Sequence, residues 1–231
     1  MDLHILSGGA AKGVVTALEP SFSAEAGAEL KGTFGAVGAM RDKLLGGEPC
    51  DVAILTAALI EELAASGHLL AGSAAPLGRV RTGIAVRAGE SLPMIADRDA
   101  LRDSLVRASG IFFPDPLRAT AGIHFVNILK QLGIHDEVQS RLRPFPNGAT
   151  AMAALAQSIE AGLIGCTQIT EIKYTEGVTL VGPLPKEFEL ATVYSAAVCS
   201  QSAHPETAAA LVKLLSGPQS AALRAAGGFE F

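Results

Sequence analysis

Short apolar runs that end in small residues alternate along this chain with segments of helical period, and nothing else in the sequence restricts its fold as much. Leu3–Leu6, Glu29–Phe34 and Asp51–Leu55 read as strands. Lys12–Ala26, Gly38–Leu45 and Ala57–Ser66 read as helices, with Pro20 a candidate break in the first. Strands joined through a helix do not form hairpins, so the alternation predicts parallel sheets covered by helices on both faces. The pattern resumes with strands at Arg79–Val86 and Gly110–Phe113 and helices at Asp99–Arg107 and Thr120–Leu132, where Thr120 is placed to cap. A helix at Thr150–Ala161 follows Asn147-Gly148 in the same way. Leu163–Cys166, Thr179–Val181 and Leu190–Val198 read as further strands, and Pro205–Leu215 and Pro218–Ala226 as closing helices. The last strand and helices have no sheet of their own, so they are expected to return to the first half. The reading is an α/β chain of two lobes, residues 1–80 plus 191–231 and residues 81–190, with a ligand cleft at the carboxyl ends of the strands.

The first strand runs out in Ser7-Gly8-Gly9-Ala10-Ala11 before Lys12. Adjacent Gly8 and Gly9, with Gly13 followed by Val14, meet neither the dinucleotide fingerprint nor P-loop spacing. What stays is a strand ending in small residues, after which a helix begins with its N–H groups accessible. That geometry suits an anion without nucleotide chemistry, and it also suits an ordinary tight turn.

Composition removes several function classes. The 231 residues are 49% apolar and 18% charged, which is a globular balance. The longest strongly apolar stretch, Val52–Ile60, falls far short of the roughly 20 residues of a membrane helix, so no membrane insertion is expected. A net charge of −5 and the lack of any Lys/Arg run speak against a nucleic-acid partner. His4, His68, His124, His135 and His204 lack the i, i+4 spacing of a helical metal site, and no metal is expected. Cys50, Cys166 and Cys199 are odd in number and lack ligand spacing, which predicts small buried thiols rather than a disulfide framework. Strand-like residues follow Met1 with no basic segment, apolar core and cleavage site before them. As it stands the sequence predicts a cytoplasmic chain, and a periplasmic one where a leader has been removed.

Five stretches then occur in order: Gly35–Gly38 (GAVG), Gly46–Ala57 (GGEPCDVAILTA), Asp115–Ile123 (DPLRATAGI), Leu163–Ile172 (LIGCTQITEI) and Leu214–Phe229 (LLSGPQSAALRAAGGF). In these the chain resembles, over nearly its whole length, the type 2 periplasmic solute-binding proteins, in particular the molybdate-binding family. The resemblance implies a monomeric two-lobed clamp, each lobe a mostly parallel sheet flanked by helices, that closes on a small anion and serves an ABC permease if exported, or acts as a cytoplasmic sensor or carrier derived from such a protein if not. The family's binding positions fall at about Ala10, within Gly35, Ala36, Val37 and Gly38, at Ala121, at about Ala149 and near Gln168, where molybdate binders carry tyrosine. The family's first two loops present serine hydroxyls. Here they present Ala, Gly and Val, with Ser7 the nearest hydroxyl, which counts against molybdate itself.

The candidate contacts combine both lines. Helices starting after Gly9, Gly35, Thr120 and Gly148 offer unsatisfied amides at the positive end of a dipole, each worth about 0.3–1 kcal/mol toward an anion. The candidate ligand-binding residues are Ser7, Gly8, Gly9, Ala10 and Lys12, then Gly35, Ala36, Val37 and Gly38, then Thr120, Ala121 and Gly122, then Asn147, Gly148, Ala149 and Thr150. Arg81, Arg118, Thr167, Gln168 and Thr170 are candidate polar additions, although Lys12 and Arg118 also read as solvated surface residues. A bidentate arginine fits a carboxylate better than a tetrahedral metal oxide, so an organic carboxylate is the expected ligand ahead of an inorganic oxyanion. No cofactor is implied, and no nucleophile–base–acid triad is readable. The fold is shared with aconitate isomerase, so the alternative is a cofactor-independent isomerase that shifts a proton along an unsaturated di- or tricarboxylate. His124 and Glu171 are the weak candidates for its base. His124 reads first as a packed or surface histidine, and Glu171 as a hinge-region hydrogen-bond acceptor.

Overall fold

The computed structural model describes residues 1–231. Its strands are β1 (Asp2–Gly8), β2 (Glu29–Gly35), β3 (Val52–Thr56), β4 (Ala75–Arg87), β5 (Gly110–Pro114), β6 (Leu142–Phe145), β7 (Leu163–Gln168), β8 (Val178–Pro183) and β9 (Ala191–Val198). Its helices are α1 (Lys12–Ala26), α2 (Val37–Leu45), α3 (Ala57–Ala65), α4 (Arg98–Arg107), α5 (Thr120–Gln131), α6 (His135–Val138), α7 (Gly148–Gln157), α8 (Ile169–Tyr174), α9 (Pro205–Ser216) and α10 (Ala221–Gly227). The chain divides into a unit of residues 1–80 with 192–231 and a unit of residues 81–191.

In the first unit β1 pairs in parallel with β2 and β3, and β3 pairs antiparallel with β9, the strand that arrives from the far end of the sequence. Strand residues Leu3, Ile5, Val52 and Ile54 are fully buried among Val14, Phe22, Met40, Ile60, Leu63, Leu211 and Leu215 of the surrounding helices. Pro20 does not break α1, which runs on to Ala26. The proline and Thr16, whose carbonyl loses its helical partner, both lie on the exposed face, where the carbonyl is open to solvent, while Val14, Val15 and Phe22 hold the other face. Arg224 ties the end of the chain to this unit. Its buried guanidinium donates to the carbonyls of Leu77, Ser216 and Gly217 and to the Ser220 hydroxyl, and it lies over the Phe231 ring.

In the second unit β5 pairs in parallel with β6 and β7, β7 pairs antiparallel with β4, and β4 antiparallel with β8. One cluster gathers Phe113, Leu101, Leu105, Phe125 and Ile128, and another gathers Phe112, Met152, Leu155 and Ile172. Three elements here were not expected from the sequence: β6, α6 and α8. β6 (LRPF) carries Pro144 and two half-buried residues beside it, the composition of an edge strand, which gives no apolar alternation to read. Boundaries also differ, β4 for example starting at Ala75 rather than Arg79. α7 starts at Gly148 and ends at Gln157 rather than spanning Thr150–Ala161, and Thr120 is the first residue of α5 rather than its cap, a position held by Ala119 without any side-chain hydrogen bond. Cys166 and Cys199 are buried as expected, whereas Cys50 is partly exposed, and all three are free thiols.

Candidate functional site

The carboxyl ends of β5, β6 and β7 lead directly into α5, α7 and α8, so the second unit gathers three helix starts on one edge of its sheet. α5 is pressed onto the end of β5. A Cβ at Gly122 would lie 2.2 Å from the Pro114 carbonyl oxygen and 2.4 Å from that of Asp115, so only glycine fits. Asp115 holds the approach to the helix, its Oδ1 accepting from the amides of Leu117 (2.7 Å) and Arg118 (3.2 Å). By helix geometry the amides of Thr120, Ala121 and Gly122 have no intrahelical carbonyl to bond.

The start of α7 is organised differently. Asn147 Oδ1 accepts from the Thr150 amide at 2.9 Å, and the Thr150 hydroxyl returns to Asn147 in a capping box. Glu171, at the third position of α8, reaches across to the same turn. Its Oε2 accepts from the Thr167 hydroxyl at 2.6 Å, and its carboxylate also accepts from the amides of Ala149 and Gln168. Gly148 makes room for it: a Cβ there would lie 2.0 Å from both Glu171 Oε2 and Thr167 Oγ1. Burial pushes the Glu171 carboxyl above the ordinary carboxylate range, while the three hydrogen bonds oppose that shift. Ala149, Thr150 and Thr167, all expected ligand contacts, are engaged within this network. Their donors already serve the Glu171 carboxyl or a cap.

Beside this satisfied network lies an unsatisfied one. Thr82 in β4 is the cross-strand partner of Gln168, and the side-chain atoms Thr82 Oγ1, Gln168 Nε2, Gln168 Oε1 and Thr170 Oγ1 are all buried without a hydrogen-bond partner. The three residues are 1%, 2% and 5% exposed, so bulk water does not serve them. Gln168 and Thr170 were among the sequence candidates. Thr82 was not, and its only signal is a hydroxyl set in the apolar run of β4. Arg81 approaches Glu189 at 3.7 Å, and Arg118 is exposed.

In the first unit the strand-to-helix turns after β1 and β2 begin without side-chain caps at Gly8 and Ala36, whereas Thr56 caps α3 by accepting from the Leu59 amide. Gly8 lies against Val37 and Tyr194, and a Cβ there would sit 2.8 Å from Val37 Cγ1. Ala10, Ala36 and Val37 are buried, while Gly9 and Gly38 are partly exposed. Ser7, an expected ligand hydroxyl, is wholly buried and donates to the Gly8 carbonyl at 2.9 Å. Lys12 sits over the Phe34 ring at 5.9 Å. Thr192, at the start of β9, carries another buried hydroxyl without a partner.

Neither weak candidate base is unengaged. His124 Nε2 bonds the Phe188 carbonyl at 2.8 Å, which makes Nε2 the protonated nitrogen, and Glu171 accepts from three donors.

Comparisons with known proteins identify the family and the fold. A family model described as bacterial extracellular solute-binding protein matches residues 3–230. An aconitate isomerase from Pseudomonas sp is 29% identical over 227 residues, covering 95% of this chain and 84% of that protein. The periplasmic molybdate-binding protein of Azotobacter vinelandii superposes with a TM-score of 0.80 at 18% identity, covering 99% of both chains. The sulfate-binding protein SubI of Mycobacterium tuberculosis H37Rv superposes with a TM-score of 0.75 at 20% identity, covering 99% of this chain and 86% of that one. The fold is that of the type 2 periplasmic binding proteins, as the five sequence stretches implied.

Proposed function

The chain belongs to the bacterial extracellular solute-binding protein family, and on that premise we propose that it binds a small organic carboxylate carrying at least one hydrogen-bond donor. The observation that supports this reading is the buried, unpartnered set of Thr82, Gln168 and Thr170. Leaving such atoms without partners costs roughly 1–3 kcal/mol each, a cost that a bound ligand removes. The Gln168 amide asks for both an acceptor and a donor. A fully deprotonated tetrahedral oxyanion offers only acceptors, whereas a hydroxy acid or a singly protonated polyacid offers both. The amides at the start of α5 supply further donors toward negative charge, and those at the uncapped starts of α1 and α2 are of the same kind. In this reading the partner is an ABC permease.

A melting assay with molybdate, sulfate, malate, citrate and cis- and trans-aconitate tests the proposal. Ligand at a hundred times its dissociation constant adds about 2.7 kcal/mol of stability. The reading expects that gain with one or more of the organic acids. A response to molybdate or sulfate alone, or to nothing, overturns it.

The aconitate isomerase relative favours a second reading, in which the bound acid is unsaturated and a proton is shifted along it without a cofactor. His124 is then the residue to consider, its Nδ1 carrying the lone pair while Nε2 is held by Phe188. Proton NMR of trans-aconitate incubated with the protein decides. Appearance of the cis isomer supports isomerisation, and an unchanged spectrum with a retained melting shift leaves binding alone.

A further inference from the structure

Cys50 and Cys199 stand apart from the site described above, in the first unit, with Sγ atoms 3.1 Å apart and a sequence separation of 149 residues. The pairing is built by the sheet. Val52 faces Val198 across β3 and β9, and one step further out the Cys199 amide donates to the Asp51 carbonyl at 2.9 Å. Asp51 fixes this corner from its side chain as well. One oxygen accepts from the His4 amide at 2.8 Å and the other from the Ser202 hydroxyl at 2.6 Å. The two sulfurs are thus held together by backbone that already has its partners, and a disulfide of about 2.0 Å needs only a small side-chain adjustment. Both cysteines also line a cavity of about 290 Å³, together with Glu48, Gly67, His68 and Gln201, so a small reagent can reach them. Cys50 is the more exposed of the two. The hydrogen bond it receives from Cys199, with burial and the nearby Asp51, holds the Cys199 thiol protonated, above the usual thiol range.

We propose that Cys50 and Cys199 are a redox pair that closes to an intramolecular disulfide in the presence of a small-molecule disulfide oxidant. The Cys50 thiolate attacks one sulfur of the oxidant, whose S–S bond breaks and releases one thiol, leaving a mixed disulfide on Cys50. Cys199 then gives up its proton and attacks the Cys50 sulfur, expelling the second thiol. Two protein thiols are oxidised and one oxidant disulfide is reduced to two thiols. The bond has a structural consequence. The first unit is assembled from residues 1–80 and 192–231, with the whole second unit between them in sequence, and the link staples those two segments together. A cross-link that closes so long a loop removes much of the unfolded chain's freedom.

The test incubates the full chain with oxidised glutathione or with dithiothreitol, followed by intact mass, peptide mapping and melting. The expected result is a loss of two hydrogens, one Cys50–Cys199 peptide, Cys166 unmodified, and a melting temperature several degrees above that of the reduced protein. Cys50→Ser is expected to abolish the difference between the two treatments, and Cys166→Ala to keep it. Three unmodified thiols after oxidation overturn the proposal. So do a stable glutathione adduct on Cys50, a link involving Cys166, or a disulfide between two molecules. If Cys50→Ser does not fold, the wild-type peptide map and Cys199→Ser decide the matter.

Discussion

Thr82 stands directly opposite Gln168 across the β4–β7 pair, and the hydroxyl of one and both amide heteroatoms of the other are buried without a partner. Their neighbours show that this is not a general property of the region. Four residues from Thr167, Glu171 closes a network in which its carboxylate accepts from a hydroxyl and two amides. One part of this edge has its hydrogen bonds complete, and the proposed ligand contacts rest on the other.

Replacing Gln168 with leucine, of similar volume, removes two unsatisfied atoms from the interior. We expect Gln168→Leu to hold or raise the stability of the ligand-free protein, by up to about 2 kcal/mol, while weakening ligand-induced stabilisation at least roughly tenfold in affinity. Urea denaturation with and without the best ligand of the panel checks both. A variant that is destabilised and still binds as well as the parent contradicts the assignment.

Glu171 gives a pH signature. Its folded carboxyl lies above the unfolded value of about 4.3, so between the two values the native state holds a proton that the unfolded chain has released. Its contribution is complete below the unfolded value and is lost as pH rises through the folded one. Glu171→Gln removes that dependence, so the stability of the variant relative to the parent should climb with pH across the window. Denaturation curves from about pH 4 to about pH 8 give the slope, and a flat difference rejects the shift.

Glycine to alanine in a helix ordinarily stabilises by about 1 kcal/mol. At Gly148 the sign should reverse. The new methyl meets Glu171 Oε2 and Thr167 Oγ1 at 2.0 Å, so the carboxylate must leave the start of α7. We expect Gly148→Ala to lose about 1–3 kcal/mol in chemical denaturation. A neutral or stabilising result shows that Glu171 does not hold that turn.

Arg224 is buried without an acidic partner and satisfies three carbonyls and a hydroxyl. Arg224→Met keeps the length of the side chain and strands those acceptors, for an expected loss of about 2–5 kcal/mol. Arg224→Lys should recover little of it, because an ammonium does not reproduce the planar fork. A Lys variant as stable as the parent means that charge alone suffices at this position.

The sequence by itself determined the βα alternation and most of its boundaries, because hydrophobic period and turn glycines act within a few residues. It also carried the family resemblance, through short stretches in a fixed order, and it marked Asn147-Gly148 as a helix start because a capping box is complete within four positions. It left α8 invisible, although Gln168 and Glu171 form the reciprocal half of such a box, since six residues are too few to show a helical period. Which donors are already taken was decided only by tertiary structure. Glu171 meets Ala149 because α7 packs across β5 and β7 onto α8, Thr82 meets Gln168 because β4 lies next to β7, and Cys50 meets Cys199 because β9 returns to β3. Such contacts join residues tens of positions apart, and they depend on how every intervening element packs, which no local pattern records.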